Sequence, residues 1–150
     1  MFGPHDHFGE DGHVIGALIQ KCVTAQKKND ELEVWGGGSA VRQFLYAPDV
    51  ARIMADLIFR EDIGNWIVAA DDGISIKKLA QLIARAAGFT GPIRFDESKP
   101  EGIHKKILRS DSFDRLFPKF RFTPIEKAVA ETVEWCRSNQ KTRAKAGGVR

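Results

Sequence analysis

Several side chains in this 150-residue sequence are of types that do chemistry, and their spacing narrows which chemistry. Three of the four histidines, His5, His7 and His13, fall in the first 13 residues. His5 and His7 lie in a stretch of Gly, Asp and Pro, where exposed loop polarity explains them as well as function does. His13 stands where an apolar helical pattern begins. A helix start presents unsatisfied N–H groups to any nearby anion, so an imidazole there is well placed beside a charged ligand. Arg42 sits between a glycine turn and an apolar run. It can extend to solvent, or clamp a phosphate in bidentate geometry. Lys105 and Lys106 follow Gly102 in a polar stretch, as a solvated pair or a phosphate contact. Trp35, next to Gly36, is either core or a platform for a flat ring. Taken together, these cations and one aromatic beside glycine turns suit a nucleotide diphosphate.

Other chemistries lack their motifs. There is no G-x-S-x-G elbow, no H-E-x-x-H and no paired C-x-x-C, so neither a serine-hydrolase nucleophile nor a metal site is expected. Gly36-Gly37-Gly38 is not a dinucleotide fingerprint, because the third spaced glycine and the helix it should open are missing. Cys22 and Cys136 fall on apolar helix faces, and two thiols so far apart read as small buried hydrophobes in a reducing, cytoplasmic setting. The formal charge of 23 − 20 = +3 leaves no nucleic-acid footprint. No apolar run approaches a membrane span, and the first residues lack the basic-then-apolar form of a secretory leader.

The elements that must position these residues follow from periodicity. Residues 1–12 read as loop. Val14, Ile15, Leu18, Ile19, Cys22 and Val23 recur at helical spacing, with Lys27 and Lys28 at the end that suits cations. Leu32 to Trp35 reads as a strand, and Val41 to Tyr46 as a second strand or extended segment. Pro48 opens a helix with Val50, Ile53, Met54, Leu57 and Ile58 turned inward. Trp66 to Ala70 is a continuous apolar run and predicts a buried strand; Asp71-Asp72-Gly73 is a turn. Ser75 caps a helix over Ile76, Leu79, Leu82, Ile83 and Ala86, which Gly88 stops. Ile93 to Phe95 is a strand, and Ile107 and Leu108 an extended stretch. Thr123-Pro124-Ile125-Glu126 reads as a capping box opening a last helix that buries Ile125, Val129, Val133 and Cys136. The expectation is an α/β lobe of about five helices and about five short strands. It divides into a loop at 1–12, one lobe at 13–139 and a basic, flexible tail at 140–150.

Against this background four stretches resemble one family. Gly3-Pro4-His5-Asp6-His7-Phe8, followed by Gly12-His13-Val14-Ile15-Gly16-Ala17-Leu18-Ile19, is similar to the G-P-H-D-x-F and H-V-I-P-A-L-I pieces of GDP-L-fucose synthases. These belong to the extended short-chain dehydrogenase/reductase superfamily. Val34-Trp35-Gly36-Gly37-Gly38 through Arg42-Gln43-Phe44 resembles their V-W-G-x-G-x-x-x-R-x-F stretch. Phe95-Asp96-Glu97-Ser98-Lys99-Pro100-Glu101-Gly102, with its following lysines, resembles F-D-x-[ST]-K-P-D-G and a basic pair. Phe120-Arg121-Phe122-Thr123-Pro124 and its helix resemble the family's ending. Two positions depart: Gly16 stands where the family usually has Pro, and Glu101 where it usually has Asp.

The resemblance implies the substrate-binding lobe of an NADP-dependent enzyme. That enzyme epimerises GDP-4-keto-6-deoxy-D-mannose beside its ketone, then reduces it to GDP-L-fucose. His13 would be the general acid and a cofactor contact. Lys21, Arg42 and Lys106 would hold the diphosphate, Trp35 would bound the pocket, and Glu101 would also meet substrate. The family's glycine-rich crevice, Tyr-x-x-x-Lys pair, Ser and epimerisation Cys precede the point where this sequence opens. The resemblance therefore implies a partner Rossmann half, a homodimer in the full-length family, and no activity from this stretch alone. A stand-alone GDP-sugar binding module and a lobe of another sugar-nucleotide epimerase or dehydratase are the alternative readings.

Overall fold

A computed structural model describes residues 1–9, 12–60, 64–70 and 72–146, with side chains described to residue 139. Five helices and five short strands follow one another: α1 (Val14–Lys28), β1 (Leu32–Trp35), β2 (Val41–Arg42), α2 (Ala47–Ile58), β3 (Ile74–Ser75), α3 (Ile76–Ala87), β4 (Ile93–Asp96), β5 (Lys105–Lys106), α4 (Asp111–Leu116) and α5 (Ile125–Ala146). Among the described residues the strands form two small sheets. β1 and β4 pair in parallel, Leu32 opposite Ile93 and Trp35 opposite Asp96. β2 lies between β3, antiparallel to it, and β5, parallel to it, so Arg42 stands beside Lys106.

The core is where the periodic faces meet. α3 packs on both α1 and α5, and α1 covers β1. Ile15, Ile19, Cys22, Leu32, Val34, Leu79, Ile83, Val129 and Val133 are almost wholly enclosed. β1 shows why its outward residues matter: Leu32 and Val34 are buried, so the two-residue alternation turns Glu33 and Trp35 away from the core. Both cysteines are buried and neither forms a disulfide, and burial pushes the Cys22 thiol up to about 11. The expected stops hold. Ser75 Oγ accepts from Lys78 N at 3.2 Å, and Gly88 ends α3 at φ 64°. No helix among the described residues is long and apolar enough to cross a membrane.

Several local expectations give way. Trp66 to Ala70 is not a strand. Its backbone pairs with no strand among the described residues, and Ile67 is exposed. A run of apolar residues makes a strand only where a neighbouring edge receives its N–H and C=O groups. The extended segment after Gly38 pairs only at Val41–Arg42, with one further bridge between Tyr46 and Phe2. That bridge ties the opening loop down, because Phe2 is buried and donates its N–H to Leu45 O. Met54 and Ile58 of α2 face outward, Ile58 being 77% exposed, since no described element covers that side; α2 buries Asp49 and Ile53. The extended stretch near Ile107 is paired two residues earlier, at β5.

The capping box also fails. α5 begins at Ile125, and the Thr123 hydroxyl donates to Asp49 Oδ1 at 2.7 Å. α5 then continues to Ala146, into the stretch read as tail; residues 147–150 lie outside the described residues, as does Asp71 of the expected turn. α4 had no clear apolar period. It exists because Ser110 caps Phe113 N, while the Phe113 ring packs with Phe117, Phe120 and Phe122 in a separate aromatic cluster.

Candidate functional site

β1 and α1 build one wall of an open groove of about 800 Å³. Lys21, Trp35, Arg42 and Glu101, four of the six residues singled out in the sequence, line it, together with apolar Val14 and Ile76. They come from α1, the end of β1, β2 and the loop after β4, so no local stretch could have assembled them. Among the described residues there is no cluster of His, Cys, Asp and Glu fit to hold a metal ion.

Trp35 is 53% exposed at the groove and is held from several sides. Its Nε1–H donates to Glu33 Oε1 at 3.1 Å. Glu33 is held in turn by Arg94, opposite it on β4, which also pairs with Glu31. The Glu31 hydrogen bond foremost, with Glu33 beside it and against the opposing effect of burial, pushes the Arg94 guanidinium above its ordinary range. Lys21 Nζ lies 4.7 Å from the Trp35 ring centre and Lys99 Nζ 5.9 Å from it. An exposed cation–π contact contributes about 0.5–1 kcal/mol, so these ammonium groups rest on the ring yet can be drawn to an anion. Glu33, which lines the groove, and Lys99, which reaches the Trp35 ring, are neighbours of Trp35 that its own motif does not mark. Glu33 was legible, because positions 33 and 35 share a strand face.

Arg42 turns Nη1 back to Val41 O at 2.8 Å, leaving it between this groove and a second cavity of about 250 Å³. Lys106 lines that second cavity rather than the groove, beside Arg42 on the same sheet face. Gln43 holds the surrounding segments together: its Nε2 donates to Ala70 O and Leu108 O, and its Oε1 accepts from Leu108 N. Glu101 is tied to the glycine turn, accepting from Ala40 N at 2.7 Å and Gly37 N at 3.3 Å.

His13 occupies the N-cap of α1, between groove-lining Gly12 and Val14, and is exposed. Its side chain makes no capping hydrogen bond, so the purely structural reason for a polar residue there is not realised. His5 has φ 70° and lies with its ring 4.6 Å from Trp135, on the α5 side.

Residues 1–66 match the NAD dependent epimerase/dehydratase family. A GDP-L-fucose synthase of Dictyostelium discoideum is 38% identical over 149 residues, covering 97% of this chain and 47% of the relative. That of Escherichia coli is 31% identical, covering 93% and 47%. A crystal structure of a GDP-L-fucose synthetase from Naegleria fowleri bound to NADP superimposes with TM-score 0.90 at 40% identity, covering 94% of this chain and 45% of that one. A UDP-glucose 4-epimerase from Thermotoga maritima shares the fold at TM-score 0.71 and 20% identity. The chain spans about half the length of the curated relatives it matches.

Proposed function

This chain is a homologue of the GDP-L-fucose synthases over about half their length, and we propose that it supplies their GDP-sugar-binding lobe, with the general acid for epimerisation. The observation that carries the reading is the convergence of Lys21, Trp35, Arg42 and Glu101 on one groove. Lys21 and Arg42 are the diphosphate contacts. Trp35, clamped by Glu33, bounds the ligand, and Lys106 extends the cationic surface beyond Arg42. His13, free of capping duty at the groove's end, is the acid that returns a proton beside the ketone. The same side chain is a contact to NADP in this reading.

The dinucleotide crevice itself does not fit these residues. The sequence has no spaced glycine fingerprint, and the N–H groups of Gly37 and Ala40 are already taken by Glu101. Cofactor binding and hydride transfer therefore belong, in this reading, to a Rossmann half outside these 150 residues, in a cytoplasmic enzyme that dimerises as the full-length family does.

Calorimetric titration of the chain with GDP-mannose tests the reading. Charge-assisted contacts are worth about 1.5–3 kcal/mol each, so Lys21→Ala and Arg42→Ala should each weaken binding roughly ten- to hundredfold. UDP-glucose serves as the control. Saturable GDP-mannose binding that ignores both substitutions would overturn the assignment, and so would the absence of binding.

A further inference from the structure

The glycine turn between β1 and β2 has the look of a phosphate cradle. Successive backbone N–H groups converge there, and Gly36 and Gly38 have φ of 77° and 74°, which side chains rarely adopt. Its concavity is filled from within. Ala40 N donates to Glu101 Oε1 at 2.7 Å and Gly37 N to Oε2 at 3.3 Å. The fit is close. A methyl group on Gly36 would come within 2.7 Å of Glu101 Cβ, and one on Gly38 within 2.6 Å of the Phe95 ring. The turn's two ends are Trp35 and Val41–Arg42, and Trp35 and Arg42 both line the groove.

We propose that Glu101 is a positioning residue: its carboxylate occupies the anion nest of residues 37–40 and thereby sets the span between Trp35 and Arg42. The proposal rests on the groove being the GDP-sugar site. It makes the glycine turn a strut rather than a seat for the diphosphate, whose charge is left to Lys21 and Arg42. Both carboxylate oxygens are already engaged, so Glu101 acts on the ligand through the geometry it holds. The nest's hydrogen bonds, Ala40 first, also hold the Glu101 carboxyl below the ordinary carboxylate range, against the opposing effect of burial. Its grip is therefore complete at neutral pH and is released as pH falls through that lowered value.

Backbone amide NMR of the full chain tests this without any sugar nucleotide. In the parent protein the Gly37 and Ala40 amides should exchange slowly at neutral pH, and pyrophosphate should leave their shifts unmoved. In Glu101→Ala, protection at both should drop at least tenfold while the amides of α3 and α5 keep theirs. Pyrophosphate should now shift Gly37 and Ala40 saturably. Glu101→Gln keeps an oxygen for one N–H but loses the charge, so its exchange should lack the acid-dependent release seen in the parent. In the titration with GDP-mannose, Glu101→Gln should weaken binding about tenfold, and GDP-mannose should not shift Gly37 or Ala40 in the parent. Pyrophosphate or GDP-mannose shifts at those amides in the parent would overturn the proposal, as would unchanged protection in Glu101→Ala. Failure of the parent to bind GDP-mannose, with the amide results as expected, would sink the substrate reading alone and leave the strut in place.

Discussion

Removing the Asp49 carboxylate should cost the chain a large part of its stability, for reasons that can be counted. Asp49 lies in the first turn of α2, is 1% exposed, and is the one buried acid among the described residues. Its Oδ2 accepts from Thr123 N at 2.8 Å. Its Oδ1 accepts from Thr123 Oγ1 at 2.7 Å and from Arg52 Nη2 at 2.6 Å. Thr123 stands just before α5, so this one side chain ties the start of α2 to the start of α5. Asp49→Ala deletes two charge-assisted bonds to Thr123, each worth about 1.5–3 kcal/mol, and strands the Thr123 N–H.

The Arg52 contact adds little, because that side chain is 57% exposed and rehydrates readily. Relief of the acid's own burial offsets part of the loss. The expected net destabilisation is about 3 kcal/mol, against a total of about 5–15 kcal/mol for an ordinary domain. Thr123→Val removes only the hydroxyl bond and should cost about 1.5 kcal/mol, the low end for a bond to a charged group. Urea unfolding followed by circular dichroism reads both as shifts in midpoint at constant slope. In the double variant the two losses should overlap by about 1.5 kcal/mol, since they share a bond. An Asp49→Ala loss under about 0.5 kcal/mol, or strict additivity with Thr123→Val, would refute the clamp.

Three further outcomes are expected. With the chain joined to a relative's nucleotide-binding half, His13→Asn should slow solvent-deuterium incorporation into the sugar by about 10² to 10⁴. Because His13 does not cap α1 and Asn caps well, the same change should raise the melting temperature; undiminished deuterium washout would remove His13 from the mechanism. Burial foremost, then the hydrogen bond from Tyr46 Oη to Glu131 Oε2, pushes the Tyr46 phenol up from its ordinary 10 to about 12. The folded state thus holds this proton more tightly than the unfolded chain. Stability should be full below pH 10 and fall as pH rises toward about 12, and Tyr46→Phe should flatten that slope in alkaline unfolding titrations. Phe59, 89% exposed, and Ile58 leave an apolar strip along the end of α2, so Phe59→Glu should reduce self-association in sedimentation velocity; an unchanged profile would acquit the strip.

Local rules settle what one stretch of chain can settle alone. The faces of α1, α3 and α5 were legible because a period of three to four apolar residues must be buried somewhere. Ser75 and Gly88 bounded α3 because a hydroxyl cap and a left-handed glycine do their work within a few residues of backbone. The alternation that buries Leu32 and Val34 turns Trp35 outward, so even the exposure of a candidate site residue was written in its neighbours. Tertiary structure decided the rest. Trp66 to Ala70 has a strand's composition but is not a strand, because strand formation needs a second edge that composition does not supply. α4 exists through an aromatic cluster gathered from Phe113, Phe117, Phe120 and Phe122, not through a period. Thr123 looked like a cap until Asp49, 74 residues earlier, claimed its hydroxyl. Lys106 and Glu101 carried equal weight as motif residues, yet one lines a neighbouring cavity and the other holds the glycine turn. Hydrogen bonds and charges act over a few ångströms of space, and only the folded chain decides which residues come that close.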